Sequence, residues 1–168
     1  SHYIEHVKSL GAEEISRGDI PEIIRRADER DEITVVIRAH GELKEISDSL
    51  YSCAERNPAF TLIDGTCPYV RKVRDIAREN SGDGRIFLLL GNAAHPEVEG
   101  IMSCADGEKY VFPGEKSLEN AKISLNSANF CAKTLSVAAQ TTQNLAEWKK
   151  SINFIKKVYT NALIFDTI

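Results

Sequence analysis

The sequence predicts an α/β protein made of two small, doubly wound domains whose sheets are mainly parallel. Short apolar runs at Ile33–Ile37, Phe60–Ile63, Ile86–Leu90 and Thr134–Ala139 alternate with amphipathic helical stretches, the order expected of strands covered by crossover helices. The run Ile86-Phe87-Leu88-Leu89-Leu90 is apolar without a break, as befits a strand buried on both faces. The strand–loop–helix unit recurs, and consistent right-handed crossovers should bring its loops to one sheet edge. A chain of 168 residues, 42% of them hydrophobic, can bury a core as one domain or as two small ones. The expected division is residues 1–67 and 68–168.

Taken in order, Tyr3–Leu10 reads as a short helix with Ile4 and Val7 on one face, closed by Gly11. His2 stands before it, and His6 lies on its surface. Ala12–Ile15 suggests a brief strand. Asp19 is a candidate N-cap, with Pro21 just inside a helix that runs to about Ala27. Ile33–Ile37 is β-branched throughout and leads into Arg38-Ala39-His40-Gly41; Leu43, Ile46, Leu50 and Cys53 then recur at helical spacing. Phe60–Ile63 leads into Asp64-Gly65-Thr66-Cys67-Pro68. Pro68 opens a helix with Val70, Val73 and Ile76 inward and Arg71, Lys72, Arg74 and Arg78 outward.

The central run Ile86–Leu90 is followed by Gly91-Asn92-Ala93-Ala94. Pro96 then takes the first helical position, and Glu97 and Glu99 place acid in the first turn of a helix reaching Cys104. Lys109–Phe112 is a strand ended by Pro113-Gly114, and Ser117 caps a helix through Ala121. Thr134–Ala139 leads through Gln140-Thr141-Thr142 to a helix with Leu145, Trp148, Ile152 and Ile155 inward and Lys149, Lys150, Lys156 and Lys157 outward. Ile164–Ile168 closes the chain as a strand.

Composition excludes several classes. The net charge is −4 and nothing gathers Lys and Arg into a stripe, so a nucleic-acid partner is not expected and any anionic ligand needs a local site. No apolar run reaches membrane-spanning length and no signal peptide is evident, so the expectation is a cytoplasmic protein with no membrane partner. Four Cys without a Cys-x-x-Cys pair match neither a disulfide scaffold nor a zinc ribbon. Cys53 reads as a small buried hydrophobe, and Cys104 and Cys131 as structural.

Four loops at the ends of strands carry chemistry: His40, Cys67, His95 with Glu97, and Thr141 with Thr142. Cys67 begins a helix, where the dipole favours the thiolate that attacks or binds metal. Imidazoles beside helix N-termini suit a phosphate or diphosphate. A carboxyl group hydrogen-bonded to a Thr hydroxyl can deliver a proton. The two threonines also read as plain N-caps, one capping while the other faces a ligand. The residues alone leave three readings open: a redox or metal enzyme, a non-catalytic phosphate-binding module, and a thiol enzyme with Cys67 as nucleophile and His95 as base.

Together, Arg38-Ala39-His40-Gly41, Asp64-Gly65-Thr66-Cys67-Pro68, His95-Pro96-Glu97-Val98-Glu99-Gly100 and Gln140-Thr141-Thr142 resemble the motifs of the LytB-type 4-hydroxy-3-methylbut-2-enyl diphosphate reductases, in order and spacing over essentially the whole chain. The resemblance implies three similar α/β domains around a central iron–sulfur cluster of the 4Fe-4S type. It implies a reductive dehydroxylation, using two electrons and two protons, that yields isopentenyl and dimethylallyl diphosphates in non-mevalonate isoprenoid biosynthesis. By position, Cys67 matches one of three cluster cysteines. His2, His40 and His95, with Thr141 and Thr142, match groups that line the site toward the diphosphate. Glu97 matches the proton-supplying acid and Thr141 its hydroxyl partner. The implied partners are a small diphosphate substrate and an electron donor such as ferredoxin or flavodoxin.

The family's N-terminal Cys-Phe-Gly-Val-type motif and its third domain have no counterpart in the chain. The expectation is therefore the first two domains of a reductase, inactive and without the cluster as a separate piece, with the other two cluster ligands outside it.

Overall fold

The unbroken apolar run becomes β3 (Arg85–Leu90), buried from Ile86 to Leu90. The computed structural model describes residues 2–29, 31–125 and 133–168. Beside β3 lie β4 (Lys109–Phe112), β5 (Thr134–Ala139) and β6 (Ala162–Ile164), in the order β4-β3-β5-β6, and each pairing is parallel. Successive strand residues face opposite sides, so a strand covered on both sides must be apolar at every position. Ile86, Leu88 and Leu90, with Leu135 and Val137, meet Leu118 of α6 (Glu115–Leu125) and Trp148, Ile152 and Ile155 of α7 (Leu145–Val158). Phe87, Leu89 and Ala138 meet Val73 and Ala77 of α4 (Pro68–Glu79) and Val98 and Ile101 of α5 (Pro96–Met102) on the other face.

The preceding elements are α1 (His2–Ser9), a 3-10 turn at Arg17–Asp19, α2 (Ile20–Asp28), β1 (Ile33–Ile37), α3 (Lys44–Arg56) and β2 (Phe60–Asp64). The chain forms two compact units: Ser1–Val35 with Ile46–Ile63, and Val36–Glu45 with Asp64–Ile168. In the first, Ile20, Ile23, Ala27, Val35, Leu50, Cys53 and Phe60 make the core. Burial pushes the Cys53 thiol up. The buried Asn57 donates its amide to the Ala27 carbonyl and accepts the Ala59 N–H at 3.1 Å, so it joins the end of α2 to the start of β2. β1 and β2 run parallel: Ile33 N–H donates to Ala59 at their start and Gly65 N–H to Ile37 at their end.

Several local expectations change. Ala12–Ile15 forms no strand; it is exposed and irregular, and a strand needs a neighbour for its ladder. Asp19 holds the N-cap position of α2, as expected, but its side chain makes no capping bond: its carboxylate accepts the N–H and hydroxyl of Ser16, both at 2.7 Å, and closes the 3-10 turn instead. Ser117 lies inside α6, donating to the Gly114 carbonyl at 2.6 Å, and that helix starts earlier and runs further than its periodicity suggests. Leu145, expected inward, is exposed at the first position of α7. His2 is the first residue of α1, not a residue before it. Helix ends depend on such details more than helix middles do. Cys131 lies outside the described residues.

The fully buried Leu88 gives the test of this core. Leu88→Ala should lower unfolding stability by about 2–5 kcal/mol, as for other buried Leu truncations. Leu163→Ala, at a residue 46% exposed, should change it far less. Urea midpoints at unchanged m-value measure both.

Candidate functional site

The hydrogen bonding of β1 and β2 continues past the strand ends. Gly65 N–H donates to Ile37 and Cys67 N–H to Ala39, both at 2.9 Å, which draws Cys67 beside the residue that precedes His40. The turn before Cys67 is held by Asp64, whose side chain accepts the Thr66 N–H at 2.9 Å. Arg71 also holds it, donating to the Thr66 carbonyl at 3.0 Å and the Asp64 carbonyl at 2.7 Å. Cys67 then serves as the N-cap position of α4, with Pro68 in the first turn, and its thiol is half-buried.

The loop after β3 turns at Gly91, and a Cβ there would come within 2.9 Å of the Gln140 side-chain oxygen and 3.0 Å of Val98. His95 caps α5: its Nδ1 accepts the Glu97 N–H at 3.2 Å. An accepting Nδ1 carries no proton, which leaves Nε2 as the N–H. The same bond uses one donor of the helix N-terminus that the sequence reading assigns to an anion. The rings of His40 and His95 meet edge to face, with centroids 5.2 Å apart and planes at 82°.

The parallel register puts Leu90 opposite Ala139, so the loops after β3 and β5 leave the sheet together. Glu97, only 1% exposed, accepts the backbone N–H of Thr141 at 2.7 Å. The bond between these residues thus runs from the main chain, whereas the sequence suggested the hydroxyl. Thr142 Oγ1 accepts from Gln140 Nε2 at 3.0 Å, and neither threonine caps α7; Asn144 does, accepting from Ala146 and Glu147. Gln140 is a buried bridge that sequence reasoning passed over: its Oε1 accepts Asn92 N–H at 3.1 Å while its N–H donates to Leu90 at 2.8 Å. Its place directly after an apolar strand, inside a strand-end motif, was the available signal.

His40, Cys67, His95, Glu97, Thr141 and Thr142 all fall in the second unit. His2 belongs to the first, and its side chain lies outside the described part of the structure. Arg74 departs most from expectation: read as outward, it is 9% exposed and donates from Nε to the Cys104 sulfur at 3.3 Å. Its spacing from Val70 and Ala77 marks the inward stripe of α4, which its charge disguised. Cys104 is buried, as expected of a structural cysteine, and donates to the Gly100 carbonyl at 3.4 Å.

A cubane iron–sulfur cluster needs several converging thiolates. Among the described residues Cys53 and Cys104 are buried in the cores of their units, and no three His, Cys, Asp or Glu side chains group to hold a metal ion. The described residues therefore do not form a cluster site on their own; Cys67 is the thiol they bring to these loops.

The family model described as LytB protein matches residues 1–168. The chain belongs to the LytB family. The 4-hydroxy-3-methylbut-2-enyl diphosphate reductase of Campylobacter hominis is 33% identical over 82% of this chain and 46% of the relative. That of Nautilia profundicola is 30% identical over 89% of this chain and 47% of the relative. A solved structure of (E)-4-hydroxy-3-methyl-but-2-enyl diphosphate reductase, described as the terminal enzyme of the non-mevalonate pathway, superposes with a TM-score of 0.64 at 29% identity. It covers 80% of this chain and 44% of that one. The Plasmodium falciparum reductase shares the fold, with a TM-score of 0.62 at 22% identity over 82% of this chain and 40% of its own. The LytB chain thus spans about half the length of these curated relatives.

Two outcomes follow for this LytB chain. His95→Ala removes the acceptor for the Glu97 N–H and should cost about 0.5–2 kcal/mol, the range for lost N-caps, read from urea midpoints. In a Cys131→Ser background, native thiol labelling should modify Cys67 first, with Cys53 and Cys104 reacting only as the fold opens, because both are buried. Peptide mass mapping over time gives the order.

Proposed function

We propose that this chain forms the first two domains of a 4-hydroxy-3-methylbut-2-enyl diphosphate reductase. The intact enzyme removes a hydroxyl group reductively and yields isopentenyl and dimethylallyl diphosphates. One observation carries the reading: His40, Cys67, His95, Glu97 and Thr141 gather at the strand ends of one compact unit in a LytB chain. The curated relatives bearing this enzyme's name support it.

In this reading His40 and His95 bind the diphosphate through imidazole N–H groups, with Thr141 and Thr142 nearby. The bond from Glu97 N–H to Nδ1 keeps the Nε2 proton of His95 available as a donor toward the anion. Glu97 is buried and held in place by the Thr141 N–H, which fixes its carboxyl group as the proposed proton-transfer group toward the substrate. The intact protein carries a 4Fe-4S cluster, which supplies electrons and a Lewis-acidic iron, with Cys67 as one of three ligands. Ferredoxin or flavodoxin is the electron donor. The setting is cytoplasmic, and neither nucleic acid nor membrane takes part. Among the described residues, no helix is long and apolar enough to cross a membrane.

The test uses the full encoded protein, purified anaerobically and assayed with substrate and a reduced dye. It should convert substrate and show cluster absorbance. Cys67→Ser should lose both together. Glu97→Gln should keep the absorbance and lose about 10²-fold or more in turnover, the span of general-acid contributions. A fully active Glu97→Gln protein removes the acid role, and a cluster retained by Cys67→Ser removes the ligand role.

A further inference from the structure

Arg74 has no part in the reaction described above, yet its guanidinium is buried where the site loops converge. Arg is almost never fully buried without a charged partner, and removing one from water is costly. Among the described residues no carboxylate forms an ion pair with Arg74; its Nε donates to the Cys104 sulfur at 3.3 Å. Such an arrangement contributes little to stability by itself, so its geometry is the informative part.

Arg74 Nη1 lies so close to Gly41 that a Cβ there would come within 2.5 Å of it, and the same Cβ would stand 3.3 Å from the Thr66 methyl. Gly41 has φ of +74°, the left-handed region, directly after His40. Thr66 directly precedes Cys67. Cys104 is tied to the Gly100 carbonyl of α5, and Gly100 packs against the Glu42 and His40 carbonyls, at 3.4 and 3.8 Å from its would-be Cβ. One guanidinium therefore lies against Gly41, in the loop of His40, and bonds Cys104, just past the helix capped by His95.

We propose that Arg74 is a positioning residue: its buried guanidinium supports the left-handed turn at Gly41 and so sets His40 against the ring of His95. A glycine at position 41 is then required twice, by its φ and by the space the guanidinium occupies. The inference rests on His40 belonging to the site. Its readout, the contact of two rings in the ligand-free chain, is separate from the turnover and cluster binding that test the function.

The experiment compares the 168-residue chain with Arg74→Met, which keeps the side chain's bulk without its charge or donors. Proton NOEs between the His40 and His95 rings report the contact, assigned with His40→Gln. Ile155→Ala, a core truncation on the opposite face of the sheet, is the control for general destabilisation. The expected result is loss of the inter-ring NOEs in folded Arg74→Met and their retention in Ile155→Ala. Retention in folded Arg74→Met overturns the proposal, as does equal loss in both. If Arg74→Met does not fold, Arg74→Lys replaces it under the same outcomes. Failure of both to fold assigns Arg74 to stability alone and also overturns the proposal.

Discussion

The parallel pairing of β3 with β5 is the constraint on which the site depends. Leu90 stands opposite Ala139, and the Gln140 N–H continues the ladder onto the Leu90 carbonyl. Because both strands end at the same level, the loops 91–95 and 140–142 start from neighbouring points. A slip of one residue would turn Phe87 and Leu89 to the opposite layer and separate Glu97 from the Thr141 N–H. The register is held because both faces of β3 are covered and neither layer tolerates the exchange.

On that frame the site is held by buried polar groups, each with an assigned partner. Glu97 takes a main-chain N–H, Gln140 spans two loops and Arg74 reaches a thiol. A buried polar group that loses its partner costs far more than the bond contributes when made. Such groups therefore specify one arrangement of their loops more sharply than apolar packing does. The chemistry proposed for Glu97 uses the same burial: the walls that keep water out also keep the carboxyl group near its donor.

The division of labour between layers is visible in α4. Val70, Val73 and Ala77 anchor the helix, Cys67 opens it, and Arg74 lies between these duties. The helix thereby couples the turn at one end of the site to the packing against α5.

The strands at 33–37, 60–64, 85–90, 109–112 and 134–139, the parallel pairing of the second sheet and the loops that carry His40, Cys67, His95 and Thr141 were legible in the sequence, whereas residues 12–15 form no strand and the last strand is Ala162–Ile164, not Ile164–Ile168. Continuous apolar runs, prolines at helix starts and strand-end motifs are local signals that survive folding unchanged. Tertiary structure decided what depends on distant partners. That Thr141 meets Glu97 through its backbone, that Asn144 and not a threonine caps α7, and that Arg74 points inward each turn on groups remote in sequence or on the exact start of a helix. Local propensity sees a charged side chain as solvated and a hydroxyl as a donor. Only the folded surroundings, by supplying a thiol, a carboxylate or a carbonyl at bonding distance, reverse that preference.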